Sequence, residues 1–343
     1  MILLPRLPTT TLRLVVFLLV ASTISCESIN PSFFMAQQFF DGRLKKADEL
    51  AQKGLYREAI AAYKELLNSR ADQRIIHRNL GVVLTQIGLY HQAEEHLLQA
   101  VRALPNNYQA RYYLAEVQRV LKKWSSSIHH YRAALNERPL DLKASRGLAW
   151  NYYNLSEYPR SLAIIRQLPP GKQNDPQVMI IRARLHIQLN NHGSALAILN
   201  SRRWQNFPFY TPYRQSLLGD IYYMRKNWGK ASHHYNQALK LNPHLPSALV
   251  GSAKVSYEQG GKKKAKELLL RALQIKGDLS EPYFYLAKIL QPSHPKKSLE
   301  YYKKFADLAE SKTRFAYMMD DVKNNINYLE NTLQQTHRVY SKN

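Results

Sequence analysis

The chain reads as an all-α protein, a solenoid of stacked helical hairpins closed by a further helix, and two observations predict this. A small residue returns at a fixed interval: Ala59, Ala93, Ser127, Ser161 and Ala195 are each 34 residues apart, Ala231 follows after 36, Ala265 after 34 and Ser298 after 33. A second series of small residues precedes the first: Ala47, Gly81, Ala115, Ala149, Ala183, Gly219, Ala253 and Ala287. A period of this size, held across most of a chain, marks a repeat architecture rather than a single closed core.

Each repeat contains two helices. The second carries an aromatic three residues before the small one (Tyr56, Tyr90, Trp124, Tyr158, Trp228). A bulky residue stands four after it (Tyr63, Leu97, Tyr131, Ile165, Leu199, Tyr235, Leu269, Tyr302), and an apolar one seven after it, as in Leu66, Ala134 and Phe305. Steps of three, four and three residues trace one stripe on a helix. The first helix carries a Leu–small pair, as in Leu80-Gly81, Leu114-Ala115 and Leu148-Ala149. Small residues let two helix axes approach closely while bulky neighbours fill the grooves beside them. Pro105, Pro139 and Pro243 end the second helix in three repeats, because proline cannot continue one.

This pattern resembles the tetratricopeptide repeat, most clearly in residues 77–107, 111–141 and 214–244. The resemblance implies a right-handed α-solenoid of about eight units over residues 38–310, with 311–343 as a C-terminal capping segment. The fourth unit ends in Pro169-Pro170-Gly171, and the fifth has Asn190 and His192 where glycine and an aromatic are usual. The exit of the fifth, Ser201 to Pro212, is long and aromatic, with Trp204, Phe207, Phe209 and Tyr210, and suggests a bend or a private contact. Since repeats touch only neighbours and no low-complexity linker interrupts them, one elongated domain is expected.

The 343-residue chain has a formal charge of +24, about +22 without Arg6 and Arg13. That balance favours anionic partners, or simply a soluble basic face; only Lys262-Lys263-Lys264 forms a tight basic run. Residues 1–25 combine basic residues, an apolar run from Leu14 to Ala21 and a small-residue stretch, which reads as an export signal. The apolar run is far shorter than the ~20 residues that span a bilayer. Cys26, the single cysteine, stands where a bacterial lipobox places its lipidated residue, although Thr23 departs from that pattern. Lipidation of Cys26 is the preferred reading; cleavage without lipid stays open, and an organellar transit peptide fits the apolar middle poorly. Residues 26–37 would then be a lipidated cysteine and a short tether of at most ~35 Å.

Enzyme chemistry finds no motif. The twelve histidines include no His-Glu-x-x-His run, and no phosphate loop, nucleophile elbow or dinucleotide fingerprint occurs. The pairs His129-His130 and His233-His234 are expected in solvent, since adjacent helical residues diverge by about 100° and cannot clamp one ion. No cofactor, metal or catalytic residue is expected.

The resemblance places the first helices along a concave groove. On this sequence the groove residues are Tyr112, Arg119, Arg146, Trp150, Tyr153, Arg184, Tyr223 and Tyr257, with Arg78, Glu116 and Lys254 nearby. Aromatics and arginines dominate interface energetics, and arginine forks onto carboxylates. The dicarboxylate clamp of chaperone-binding members does not carry over, because Val82 and Trp150 stand where it needs asparagines. At the C-terminus Phe315, Met319, Val322, Ile326, Leu329 and Leu333 form an apolar seam over a helix at 313–340. A cap for the last repeat is the first reading of that seam and a homodimer contact the second.

The expected function is a protein-binding scaffold at the bacterial cell envelope, anchored by lipid to the membrane, capturing a partner peptide or helix in the concave groove and serving assembly of an envelope complex. The alternative is binding of a polyanion, cell-wall polymer or nucleic acid; export argues against nucleic acid.

Overall fold

The computed structural model describes residues 31–68, 73–309 and 315–340, with side chains described from residue 41 to 335 within those spans. Residues 1–25, expected to be an export signal, and Cys26 lie outside the described residues. The chain divides into two compact units, one ending at Ala103 and one beginning at Leu104.

The first unit pairs α1 (Pro31–Gln52) with α2 (Tyr56–Leu67) and α3 (Gln73–Gln86) with α4 (Tyr90–Ala103). Residues 31–37, expected within the tether, are helical from Pro31; proline suits a first helical turn, where its missing N–H would have no partner anyway. The second unit opens with α5 (Tyr108–Val120) on α6 (Trp124–Glu137), then α7 (Leu142–Asn154) on α8 (Tyr158–Gln167). A single turn, α9 (Pro170–Gln173), leads to α10 (Pro176–Gln188) and α11 (His192–Leu199). Two 3₁₀ turns, Arg202–Asn206 and Pro208–Tyr210, precede α12 (Thr211–Met224) and α13 (Trp228–Leu241). The unit closes with α14 (Pro246–Glu258) on α15 (Lys262–Ile275), α16 (Ser280–Leu290) on α17 (Pro295–Ala309), and α18 (Ala316–Tyr340). The fold is all-α, a solenoid of helical hairpins with a final helix. No helix among the described residues is long and apolar enough to cross a membrane.

Every aromatic that sits three before the repeat's small residue is the first residue of its helix, as Tyr56, Tyr90, Trp124, Tyr158 and Trp228 show. The turn before it is also periodic. Gly54, Gly88, Lys122, Ser156, Asn190, Lys226 and Gly260 all adopt positive φ, between 56° and 82°. At each, two amides fold back on the helix just ended: Lys226 N–H donates to the Tyr223 carbonyl at 2.8 Å and Asn227 N–H to the Tyr222 carbonyl at 2.9 Å. This left-handed closure satisfies carbonyls that the helix end leaves open. Four of the seven residues carry a side chain where glycine is the unstrained choice.

The two small-residue series meet face to face. Ser127 Oγ donates to the Ala115 carbonyl at 2.6 Å, Ser161 Oγ to the Ala149 carbonyl at 2.6 Å and Ser298 Oγ to the Ala287 carbonyl at 2.9 Å. A side chain two heavy atoms long can reach the partner's backbone only where the axes nearly touch. Asn151 Nδ2 donates to Ser127 Oγ at 2.6 Å, which ties the next hairpin to the same point. Large tyrosines fill the space beside these contacts. Tyr131 lies so close to Gly147 that a Cβ there would stand 2.3 Å from its ring, and Tyr235 crowds Gly251 to 2.2 Å. Their hydroxyls donate to carboxylates on the first helix of their own hairpin, Tyr131 to Glu116 and Tyr235 to Asp220 at 2.7 Å. In the first unit Tyr63 does the same to Asp48.

The histidine pairs correct a sequence expectation. His129 is exposed but His130 is buried, and its Nδ1 meets the Arg111 guanidinium at 2.9 Å. His234 likewise meets Gln215 Oε1 at 2.7 Å, and in the first unit His96 meets His77 at 2.9 Å. Adjacent residues diverge by about 100°, and here the second of each pair falls on the side facing the paired helix, where it joins a polar rung. Burial first, then Arg111 and His129, push the His130 imidazole down to about 4.

Beyond the last hairpin, Phe315, Met318, Val322 and Leu329 bury against Phe284, Ala287, Tyr302, Phe305 and Ala309. Met319 and Ile326 are only partly buried. The seam covers α17 within the chain, as a cap does. Elsewhere in the second unit, Lys122 Nζ reaches Asp278 Oδ2 at 2.7 Å. Hairpins far apart in sequence therefore meet at their edges.

Lys226→Gly relieves left-handed strain at a solvent-facing turn and is expected to raise stability by about 0.5–1 kcal/mol in urea unfolding, whereas Gly260→Ala lowers it by a similar amount. His130 binds a proton more readily unfolded than folded, so the stability it provides is complete above pH 6.5 and is lost as pH falls toward 4, by up to about 3 kcal/mol. His130→Asn should flatten the unfolding free energy across that window; an unchanged slope would contradict the buried neutral imidazole.

Candidate functional site

The first helices of three hairpins enter the second unit with matched caps. Asn107, Asp141 and Asp175, 34 residues apart, accept from the backbone N–H of Ala110, Ala144 and Val178 at 2.9, 2.9 and 3.1 Å. Each cap satisfies otherwise open amides and fixes where α5, α7 and α10 begin. With their starts in register, their exposed faces line a cavity of about 460 Å³. That is within the range of sites that hold small ligands or peptide anchors, about 300–1,000 Å³.

Five of the sequence-predicted groove residues meet there: Tyr112 and Arg119 from α5, Arg146 and Trp150 from α7, and Arg184 from α10. Glu116, Gln177, Ile180 and Ile181 join them. Arg119 is paired with Glu116 at 2.7 Å; burial opposes its charge, and Glu116 with Tyr131 more than offsets that, so its guanidinium stays ionised. Arg146 lies 3.7 Å from Asp175, a looser pair shared with the α10 cap. Arg184 stands 5.9 Å from the centre of the Trp150 ring. Its Nε is buried without a hydrogen-bond partner. Burial, then Glu116 and Tyr113, raise the Tyr112 hydroxyl well above the usual phenol range, so it remains a neutral donor.

Tyr153 does not belong to the groove. It is 4% exposed and packs in the core under Trp150, ring centres 5.2 Å apart. Three residues on from Trp150, it turns toward Leu162, Ile165 and Leu168 of the paired helix. Tyr223 and Tyr257 stand outside this cavity, in a second polar cluster. There Tyr223 Oη lies 3.2 Å from Glu258 and 3.4 Å from Tyr285 Oη, and Tyr257 packs edge-on against Tyr285 at 5.4 Å. Lys254 Nζ sits 3.0 Å from Glu281 and 4.6 Å from the Tyr223 ring centre. Burial opposes the Lys254 charge, and Glu281, Tyr285 and Asp220 more than offset it. Arg78 belongs to the first unit, where its Nε donates to Asn79 Oδ1 at 2.9 Å. Among the described residues no three His, Cys, Asp or Glu side chains converge as a metal site would need.

The far wall of the cavity was not legible from the repeat pattern. Phe209 and Tyr210, from the second 3₁₀ turn, and Tyr213 of α12 form it. The insert is anchored by Trp204, which is 3% exposed and donates from Nε1 to the Ile198 carbonyl at 2.9 Å. Gln177 Nε2 donates to Tyr210 Oη at 3.0 Å and ties the insert to α10. Phe209 is left 75% exposed at the rim. The one signal was the off-period length and aromatic content of residues 201–212.

Comparison with known proteins follows the same lines. The tetratricopeptide repeat family matches residues 44–107 and 86–127, and again residues 212–245. No curated protein sequence matches the chain. Among solved structures, yeast Tom70 superposes with a TM-score of 0.56 at 17% identity, over 82% of this chain and 59% of that one. A chain of the APC/C hetero-tetramer Cut9–Hcn1 gives a TM-score of 0.54 at 13% identity, over 88% of this chain and 57% of that one. The chain thus spans somewhat under two thirds of these structures' length, and at such identity the likeness is one of fold. Residues 44–127 and 212–245 thus match tetratricopeptide repeats, and the solenoid they belong to has the fold of these solved structures.

Proposed function

We propose that the chain is a protein-binding scaffold of the bacterial cell envelope, which captures an acidic segment of a partner protein in the cavity between α5 and α12. One observation carries this reading: Arg184, on the cavity wall, has a buried Nε with no partner, and no ion pair among the described residues engages it. Asp220 feels its charge at longer range but is hydrogen-bonded by Tyr235. A buried donor left unmade is costly, and a guanidinium is built to fork onto a carboxylate. Trp150 and Tyr112 beside it, and Phe209 at the rim, offer rigid apolar area for the segment's side chains. The resemblance in fold to Tom70 and Cut9–Hcn1 is compatible with such use and identifies no partner.

The envelope placement rests on the amino terminus, with its export-type residues 1–25 and the single Cys26 where lipid would be attached. Because α1 begins at Pro31, only Glu27 to Asn30 would separate the anchor from the first helix. The repeats would then start at the membrane surface, with more than one acyl chain needed for stable anchoring.

Panning a displayed random-peptide library on the full chain is expected to enrich peptides that pair carboxylates with an aromatic or large apolar residue. Arg184→Gln and Phe209→Ala should each weaken such a peptide roughly tenfold, Phe209→Ala without changing the melting temperature. Peptides without acidic preference, or unchanged affinity in both variants, would contradict the site. Binding to bare polyanions with a steep salt dependence and no sequence preference would favour the polyanion alternative instead. The intact mass of protein purified from membranes should correspond to a chain beginning at an acylated Cys26; a mature chain that keeps residues 1–25 would refute the anchor.

A further inference from the structure

A second cavity, of about 340 Å³, lies between α8, α10 and α11. Leu162, Arg166, Arg182, His186, Ser194, Ala197 and Ile198 line it. Arg182 and His186 are each two residues from Arg184 on α10, about 200° around the helix, so this cavity opens on the opposite side from the groove. It is independent of the peptide site.

Its charge is one-sided. Arg166 comes from α8 and Arg182 and His186 from α10, and their field is joined by Arg203 in the first 3₁₀ turn. No ion pair among the described residues engages Arg166, Arg182 or Arg203. Burial first, then Arg166 and Arg203, disfavour the Arg182 charge, and no carboxylate offsets them. The His186 Nδ1 is buried without a hydrogen-bond partner. Cations that converge on a partly desolvated cavity without a counter-charge are held apart from what they would favour, and a bound anion supplies it. The rest of the lining fits the body of such a ligand: Leu162, Ala197 and Ile198 are apolar, and Ser194 offers a hydroxyl.

We propose that this cavity binds a small organic phosphate, its anionic head held by Arg166, Arg182 and His186 and its apolar body lying against Leu162 and Ile198. Two guanidinium forks and an imidazole match the acceptors of a phosphate, and the cavity has room beyond the head group. An inorganic phosphate ion would satisfy the charge but leave the apolar wall unused.

The test is calorimetric titration of the full chain with phenyl phosphate, inorganic phosphate and sodium chloride at matched ionic strength. Phenyl phosphate is expected to bind at least tenfold more tightly than inorganic phosphate, and chloride not measurably. Arg166→Gln and Arg182→Gln should each weaken phenyl phosphate at least tenfold. Because each substitution also removes like-charge crowding, neither should lower the melting temperature in phosphate-free buffer. If one variant fails to fold, the other and Ile198→Ser, which should erase the preference for phenyl over inorganic phosphate, keep the test open. Dihexanoyl phosphatidate separates the two sources of such a head group: binding that it shares points to a lipid, and binding confined to phenyl phosphate points to a soluble ester. No binding of phenyl phosphate by the parent chain, or equal binding by both arginine variants, overturns the proposal.

Discussion

The structure depends on how closely the two helices of each hairpin can lie. Ser127, Ser161 and Ser298 bond directly to backbone carbonyls of the facing helix, at Ala115, Ala149 and Ala287. Larger side chains at either place would push the axes apart and break that contact. With the spacing set, there is room beside it for one large ring, and Tyr131 and Tyr235 take it. Those rings then press on Gly147 and Gly251 of the following hairpin. The same small residues thus determine both the pairing within a hairpin and the pitch to the next, and so where Tyr112, Arg146 and Arg184 converge.

Charge is distributed differently on the two sides of α10. In the groove, Arg119 and Arg146 have carboxylates at Glu116 and Asp175, and Arg184 is the cation left over. On the other side Arg166, Arg182 and His186 have none. A net charge of +24 therefore does not act as one uniform surface. The paired arginines position acceptors and donors with little net field, whereas the unpaired cluster concentrates one sign in a cavity.

Most of the fold was legible in the sequence because its cause is periodic. The interval between Ala59 and Ala93 repeats the same helix contact, and the aromatics at Tyr56 or Trp124 mark helix starts. Five groove residues followed from their place on first helices. Tyr153 did not, because its position three beyond Trp150 points to the paired helix, which outweighs its amphipathic character. His130 was misjudged as solvated since residue type alone does not say which of two adjacent histidines faces the rung to Arg111. The wall made by Phe209, Tyr210 and Tyr213 was hidden by the insert that builds it: residues 201–212 break the period, and no spacing relates them to α5 or α7. The four non-glycine residues at left-handed turns were equally silent, since Lys122 and Lys226 look like ordinary loop residues.

The dependence on close packing is measured most directly by a double-mutant cycle between Gly251 and Tyr235 in urea unfolding. Gly251→Ala alone should cost about 1–3 kcal/mol, because its Cβ would enter the Tyr235 ring. In a Tyr235→Leu background, with the residue that Leu97, Leu199 and Leu269 show at the equivalent place, most of that cost should vanish. Strictly additive losses would mean that the ring and the glycine do not set the spacing between hairpins.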